Sequence, residues 1–130
     1  MFAPVIDSHV HVWTDDRQRY PRATGERDYP PSHFTPEDLF PHAKLGGVQR
    51  AVLTQMSFYR FDNSYMLDCM RRYRRLFSGV GIVDSFEPTV DRTMRDLARH
   101  GVRGFRITPG DSPQTWLDSD GIAAPITVKP

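Results

Sequence analysis

Four short apolar runs, Val5 to Trp13, Ala51 to Ser57, Gly79 to Asp84 and Val102 to Thr108, alternate with stretches that carry helix signals, and this alternation limits the fold more than any other feature. Each run is rich in Val, Ile or Phe, is bounded by polar, Gly or Pro segments and is short for a helix, so each reads as a buried strand. Between them, Thr35-Pro36-Glu37-Asp38 offers an N-cap hydroxyl, a proline at the first helical position and acids in the first turn, although Pro41 weakens a helix there. Asp62 or Asn63 can cap a second helix reaching Leu76, in which Tyr65, Met66, Cys69, Met70, Tyr73 and Leu76 recur at spacings of three and four. A third helix, about Thr89 to His100, buries Val90, Met94, Leu97 and Ala98 and stops at Gly101, a residue suited to follow a helix end. Strand and helix in steady alternation predict parallel strands joined by right-handed crossovers.

Four such units in 130 residues take roughly 32 residues each, and eight would make roughly 260, close to the ~250 typical of a closed barrel. The expected fold class is therefore α/β, a partial (β/α)8 TIM barrel with about four of its eight βα units. A compact doubly wound sheet is the alternative, but no glycine-rich phosphate loop follows the first strand. Seventeen Lys plus Arg against sixteen Asp plus Glu leave a net charge of +1, which argues against a nucleic-acid surface. No apolar run approaches the ~20 residues of a membrane helix. Cys69 has no second cysteine to pair with and lies on the buried stripe of its helix, and the N-terminus lacks a basic start followed by a long apolar stretch. The chain thus reads as cytoplasmic, with a small-molecule substrate, no nucleic acid and no membrane partner. Arg71, Arg72, Arg74 and Arg75 sit toward the C-terminal end of the second helix, where positive charge suits the helix dipole, and read as a solvated face.

The chemistry concentrates in Val5-Ile6-Asp7-Ser8-His9-Val10-His11-Val12-Trp13. Residues two apart in a strand share a face, so Asp7, His9 and His11 point one way while Ile6, Val10 and Val12 point the other. Neutral imidazole is a common ligand for zinc and similar divalent metals, and the C-terminal end of the first strand is where parallel barrels place their active sites. His9 and His11 are therefore the candidate catalytic and metal-binding residues, the alternative being a surface pair or two structurally satisfied histidines. Asp7 is expected to orient a histidine ring, as carboxylates behind metal-ligating imidazoles do.

This opening resembles that of the amidohydrolase superfamily, in the branch of pyrone-dicarboxylate lactonase, related sugar lactonases and aminocarboxymuconate-semialdehyde decarboxylase. The resemblance continues through Val52-Leu53-Thr54-Gln55-Met56-Ser57-Phe58-Tyr59, Asp62-Asn63-Ser64 and Gly79-Val80-Gly81-Ile82-Val83-Asp84, and ends with Gly101-Val102-Arg103-Gly104-Phe105-Arg106-Ile107, over about residues 4 to 123. It implies a barrel enzyme that hydrolyses a carbon–oxygen or carbon–nitrogen bond or, in some relatives, decarboxylates a muconate-like acid. It implies that His9 and His11 act with a fifth-strand histidine and an eighth-strand aspartate around a divalent metal, zinc first among the candidates, although lactonases of this branch also work without metal. Neither distant residue has a counterpart here, and His33, His42 and His100 match no family ligand. The chain, 1–130, is accordingly expected to be the N-terminal half of such a barrel. Its last residues, about 121–130, form an atypical tail, because Pro125 and Pro130 oppose the helix the family would begin near Ile122.

Three further residues are candidates for substrate binding. Arg106 can aim a guanidinium fork at a substrate carboxylate or close a strand-end salt bridge. Ser57 and Gln55 share a face at the end of the second run and can hydrogen-bond a carbonyl or carboxylate, or serve the core. Ser57 lacks the Gly-x-Ser-x-Gly surroundings of a nucleophile. Trp13, Tyr20, Tyr29 and Tyr59 either line a ring-binding mouth or pack. Two functions remain on these residues: a hydrolase of a lactone or other cyclic, carboxylate-bearing molecule, or a non-catalytic fragment that self-associates through open half-barrel edges.

Overall fold

The computed structural model describes residues 3–107. Strand β1 (Val5–Val10), helix α1 (Pro36–Leu45), β2 (Val48–Thr54), α2 (Ser64–Arg72), β3 (Phe77–Ile82), α3 (Val90–Arg99) and β4 (Val102–Arg106) follow in order, with a 3₁₀ turn at Ser57–Tyr59 between β2 and α2. The strands form one sheet in the order β1-β2-β3-β4, and every neighbouring pair is parallel. A doubly wound sheet reverses its strand order part-way; this one does not. The architecture is that of a partial (β/α)8 barrel.

The helices form where the sequence predicts them, with shifted ends. Asp38 accepts hydrogen bonds from the Thr35 backbone N–H (2.8 Å) and hydroxyl (2.9 Å), which starts α1 firmly enough that it continues through Pro41 to Leu45. Helix α2 stops at Arg72, short of Leu76, because the Leu76 carbonyl already accepts from the Ala51 N–H and so belongs to the sheet. Gly101, at φ +98°, turns the chain from α3 into β4, a conformation that costs a side-chain-bearing residue strain.

Helix α2 lies close on β3 at Gly79, where a Cβ would stand 2.8 Å from the Met70 sulfur. The core between helices and sheet contains Leu53, Met66, Met70, Val90, Met94, Leu97 and Val102. Outside that core, Val5 and Ile6 on β1 are about half exposed, at 46% and 56%. The expected tail at residues 121–130 lies outside the described residues, and no described helix is long and apolar enough to cross a membrane.

Candidate functional site

The two histidines meet, although not by simple alternation. The β1–β2 register slips between Asp7 and Val10, and β1 ends at Val10, so His11 lies just past the strand. Asp7 closes this irregularity by accepting a hydrogen bond from the His9 backbone N–H at 3.0 Å. Its carboxylate therefore shapes the backbone, and the expected contact with an imidazole ring is not made. What orients a ring is the Thr54 carbonyl: a carbonyl only accepts, so His11 Nδ1, 2.8 Å away, carries the proton and leaves the Nε2 lone pair to accept from His9 Nε2–H. That Nε2 stands 3.0 Å from His9 Nε2 at the C-terminal edge of the sheet. Sequence reasoning missed Thr54 because it acts through its backbone; the pairing of Val10 with Leu53, continued by one residue, sets it beside His11.

Burial is the largest influence on His11 and lowers its pKa below the ordinary 6.5, with the nearby charges of His9 and Arg106 adding to the effect and the hydrogen bond to Thr54 opposing it. A neutral imidazole with a fixed tautomer is the form that ligates a metal. Two nitrogens bound to one zinc at ~2.0–2.1 Å and a tetrahedral angle sit about 3.3 Å apart, so to ligate together the observed pair opens by a few tenths of an ångström and His9 carries its proton on Nδ1 instead of Nε2. His9 and His11 thus fit a divalent metal as two of its ligands. Among the described residues no group of three or more His, Cys, Asp and Glu gathers around a common point.

Arg106, the last residue of β4, is exposed, close enough to His11 to influence it electrostatically, and without a carboxylate partner among the described residues. Gln55 and Ser57 part company. Gln55 is buried, and its side-chain amide donates to the carbonyls of Asp62 (2.5 Å) and Arg60 (3.5 Å), which holds the β2–α2 loop. Ser57 has left the strand, opens the 3₁₀ turn and is exposed beside a cavity of about 340 Å³ lined also by Glu26, Asp28 and Tyr29.

The aromatic residues largely pack. Trp13, Tyr20 and Tyr59 are buried, and only Tyr29 is open, edge-on to Trp13 at 5.4 Å. The Trp13 indole donates to the Pro31 carbonyl, Tyr59 accepts from the Thr14 N–H, and Tyr20 donates to Asp68 on α2 at 2.5 Å. These bonds lay the long β1–α1 loop across the sheet edge that carries the histidines. Burial and the Asp68 contact push the Tyr20 hydroxyl up to about 12, and burial pushes the Cys69 thiol up to about 11, so neither ionises near neutrality. His33, His42 and His100 are surface residues distant in role from the pair: His33 lies 3.5 Å from Asp15, and His100 hydrogen-bonds the Asp96 carbonyl at the end of α3.

A family model for amidohydrolases matches residues 6–123. The chain belongs to the amidohydrolase family. Among relatives of this amidohydrolase chain is an L-fucono-1,5-lactonase of Burkholderia ambifaria, 33% identical over 117 residues, which are 87% of this chain and 40% of the lactonase. Among solved structures, a candidate 2-pyrone-4,6-dicarboxylic acid hydrolase from Pseudomonas putida matches with a TM-score of 0.65 at 28% identity, over 82% of this chain and 37% of that one. An amidohydrolase from Burkholderia multivorans, solved with bound zinc, shares the fold at a TM-score of 0.69 and 18% identity, over 93% of this chain and 43% of its own. The chain therefore spans less than half the length of the proteins it matches.

Proposed function

We propose that this chain carries the N-terminal half of the active site of a hydrolase that opens a lactone or another cyclic, carboxylate-bearing small molecule. The observation that carries the proposal is the convergence of His9 Nε2 and His11 Nε2 at 3.0 Å on the C-terminal sheet edge, with the His11 tautomer fixed by Thr54. The two relatives named for a lactone and for a pyrone dicarboxylic acid support the substrate class. His9 and His11 would hold a divalent metal, zinc by preference for nitrogen ligands, and the ion when bound supplies Lewis acidity to a substrate carbonyl. Arg106, exposed and near His11, meets the substrate carboxylate with its guanidinium fork. Ser57 presents a hydroxyl to a second substrate oxygen. By the family pattern, the histidine and aspartate that complete the site come from the fifth and eighth strands, in the part of its relatives that this chain does not span.

Zinc titration of the purified chain by calorimetry tests the assignment. Two protein ligands give weaker binding than three, and His9→Ala and His11→Ala are each expected to abolish it. Zinc binding that survives both substitutions refutes the pair as the metal-holding residues. Release of acid from a lactone, followed with and without added zinc or manganese, then reports whether the half-site suffices for turnover. A second reading, association of the chain with itself, is favoured by the exposed Val5 and Ile6 along the free edge of β1.

A further inference from the structure

The histidine site occupies the C-terminal edge of the sheet; a cluster of basic side chains lies at the opposite end. A groove of about 590 Å³ runs between the C-terminal ends of α2 and α3, with Leu67, Met70 and Phe77 among its lining residues. Arg71, Arg74 and Arg75 line it from α2 and the turn that follows, and Arg99, His100 and Arg103 from α3 and the start of β4. The arginines that read in sequence as a solvated face are thus joined by a second basic cluster from across the fold. We propose that this groove binds the di- or triphosphate group of a small molecule.

The charge balance carries the argument. Arg71 pairs with Asp68 and Arg99 with Asp96, whereas Arg74, Arg75 and Arg103 have no carboxylate partner among the described residues. Two helix C-termini contribute about half a negative charge each. Three uncompensated guanidiniums against about one negative charge leave the groove about two positive charges, enough to attract a multiply charged anion but not explained by the helix dipoles alone.

Geometry fixes one of these charges and the backbone of another. The Arg103 Nη1 donates to the carbonyls of Ala98 (2.8 Å) and Val102 (2.9 Å), which fixes that guanidinium on one wall. Arg75 has φ 71°, the left-handed conformation that glycine or asparagine adopts far more easily, so an arginine is held on the other wall at the cost of backbone strain. A single carboxylate satisfies one guanidinium fork; guanidiniums on two walls are engaged together by an anion whose charge is spread over several oxygens, as in a di- or triphosphate. The volume lies within the ~300–1,000 Å³ of small-molecule sites, and a chain with a net charge of +1 lacks the basic excess typical of proteins that bind long polyanions.

Sodium triphosphate, titrated into the full chain by calorimetry in metal-free buffer, provides the test. The double variant Arg74→Gln/Arg75→Asn removes two charges and places at 75 a residue that tolerates the left-handed backbone. Arg92→Gln/Arg95→Gln removes the same charge from exposed positions of α3 outside the groove. Saturable binding is expected in the parent chain and in the Arg92/Arg95 variant, with at least about tenfold weaker binding in the Arg74/Arg75 variant and a loss of affinity with rising salt. Circular dichroism matching the parent shows that each variant is folded. No saturable binding, equal weakening in both variants, or citrate binding as tightly as triphosphate overturns the proposal. Binding of a single-stranded oligonucleotide that exceeds triphosphate and tightens with length also overturns it, in favour of a nucleic-acid surface.

Discussion

His11 is pulled in opposite directions by its surroundings, and burial wins: its pKa is lowered although the Thr54 carbonyl favours a protonated Nδ1. In the unfolded chain the same imidazole takes up a proton near 6.5. As pH falls through 6.5 toward the lower folded value, the unfolded state binds the proton first, so stability is full above that window and lost within it. Urea unfolding at about pH 7.5 and about pH 5.5 is expected to show a larger fall in midpoint for the parent than for His11→Gln, which keeps a donor for Thr54 but does not titrate. Equal falls would show that His11 is not the group responsible. At this scale the sequence disclosed which two imidazoles come together at the sheet edge, because a His-x-His closing an apolar run places both near the end of one strand. It did not disclose how the ring is held: a backbone carbonyl has no residue signature, and Asp7, the obvious candidate, is used by the backbone of His9.

The elements behave as their patterns foretell, and their ends do not. Periodicity located all four strands and their parallel sense, yet the slip between Asp7 and Val10 and the early end of β2 at Thr54 depend on local hydrogen bonds that no periodicity encodes. The loop between β2 and α2 shows how such an end is fixed. Asn63 is buried; its Oδ1 accepts from the Ile82 N–H at 3.0 Å and its Nδ2 donates to the Ile82 carbonyl at 2.9 Å, tying the start of α2 to the end of β3. In sequence Asn63 offered itself only as a helix cap. Asn63→Ala leaves both Ile82 groups unpaired and is expected to cost about 2 kcal/mol. A Cβ on Gly81 would stand 3.0 Å from Asn63 Oδ1, which cannot withdraw without breaking its bond, so Gly81→Ala is expected to cost roughly 1–3 kcal/mol. The two costs share one contact. Urea unfolding of both single variants and the double variant is expected to give a double-variant cost about 1 kcal/mol smaller than the sum of the single costs, and strict additivity would refute the coupling.

At the scale of the whole sheet, the strand order leaves β1 and β4 each with one unpaired edge among the described residues. Val5 and Ile6 are exposed on β1, and Val52 and Val80, which alternate with the buried Leu53 and Gly79, are only partly covered. Leaving several hundred Å² of such surface in water forgoes roughly 10 kcal/mol at ~25 cal/mol per Å², as much as the stability of a typical domain. A second copy turned by a twofold axis along the sheet's barrel axis sets its β1 beside the first copy's β4 and its β4 beside the first copy's β1, so both edges pair in parallel and both inner faces are covered. The same operation faces one His9–His11 pair with another, four imidazoles in place of the fifth-strand histidine and eighth-strand aspartate that the family pattern requires. Among the described residues such a dimer gathers imidazoles without the carboxylate of that pattern to take a proton from water, and its turnover is expected to be low. Sedimentation velocity at micromolar concentration should find a dimer or larger species. Ile6→Lys, which places a charge on the open edge, should shift the population toward monomer. A monodisperse parent monomer that binds no hydrophobic dye would show that the exposed edge and inner face are tolerated without a partner.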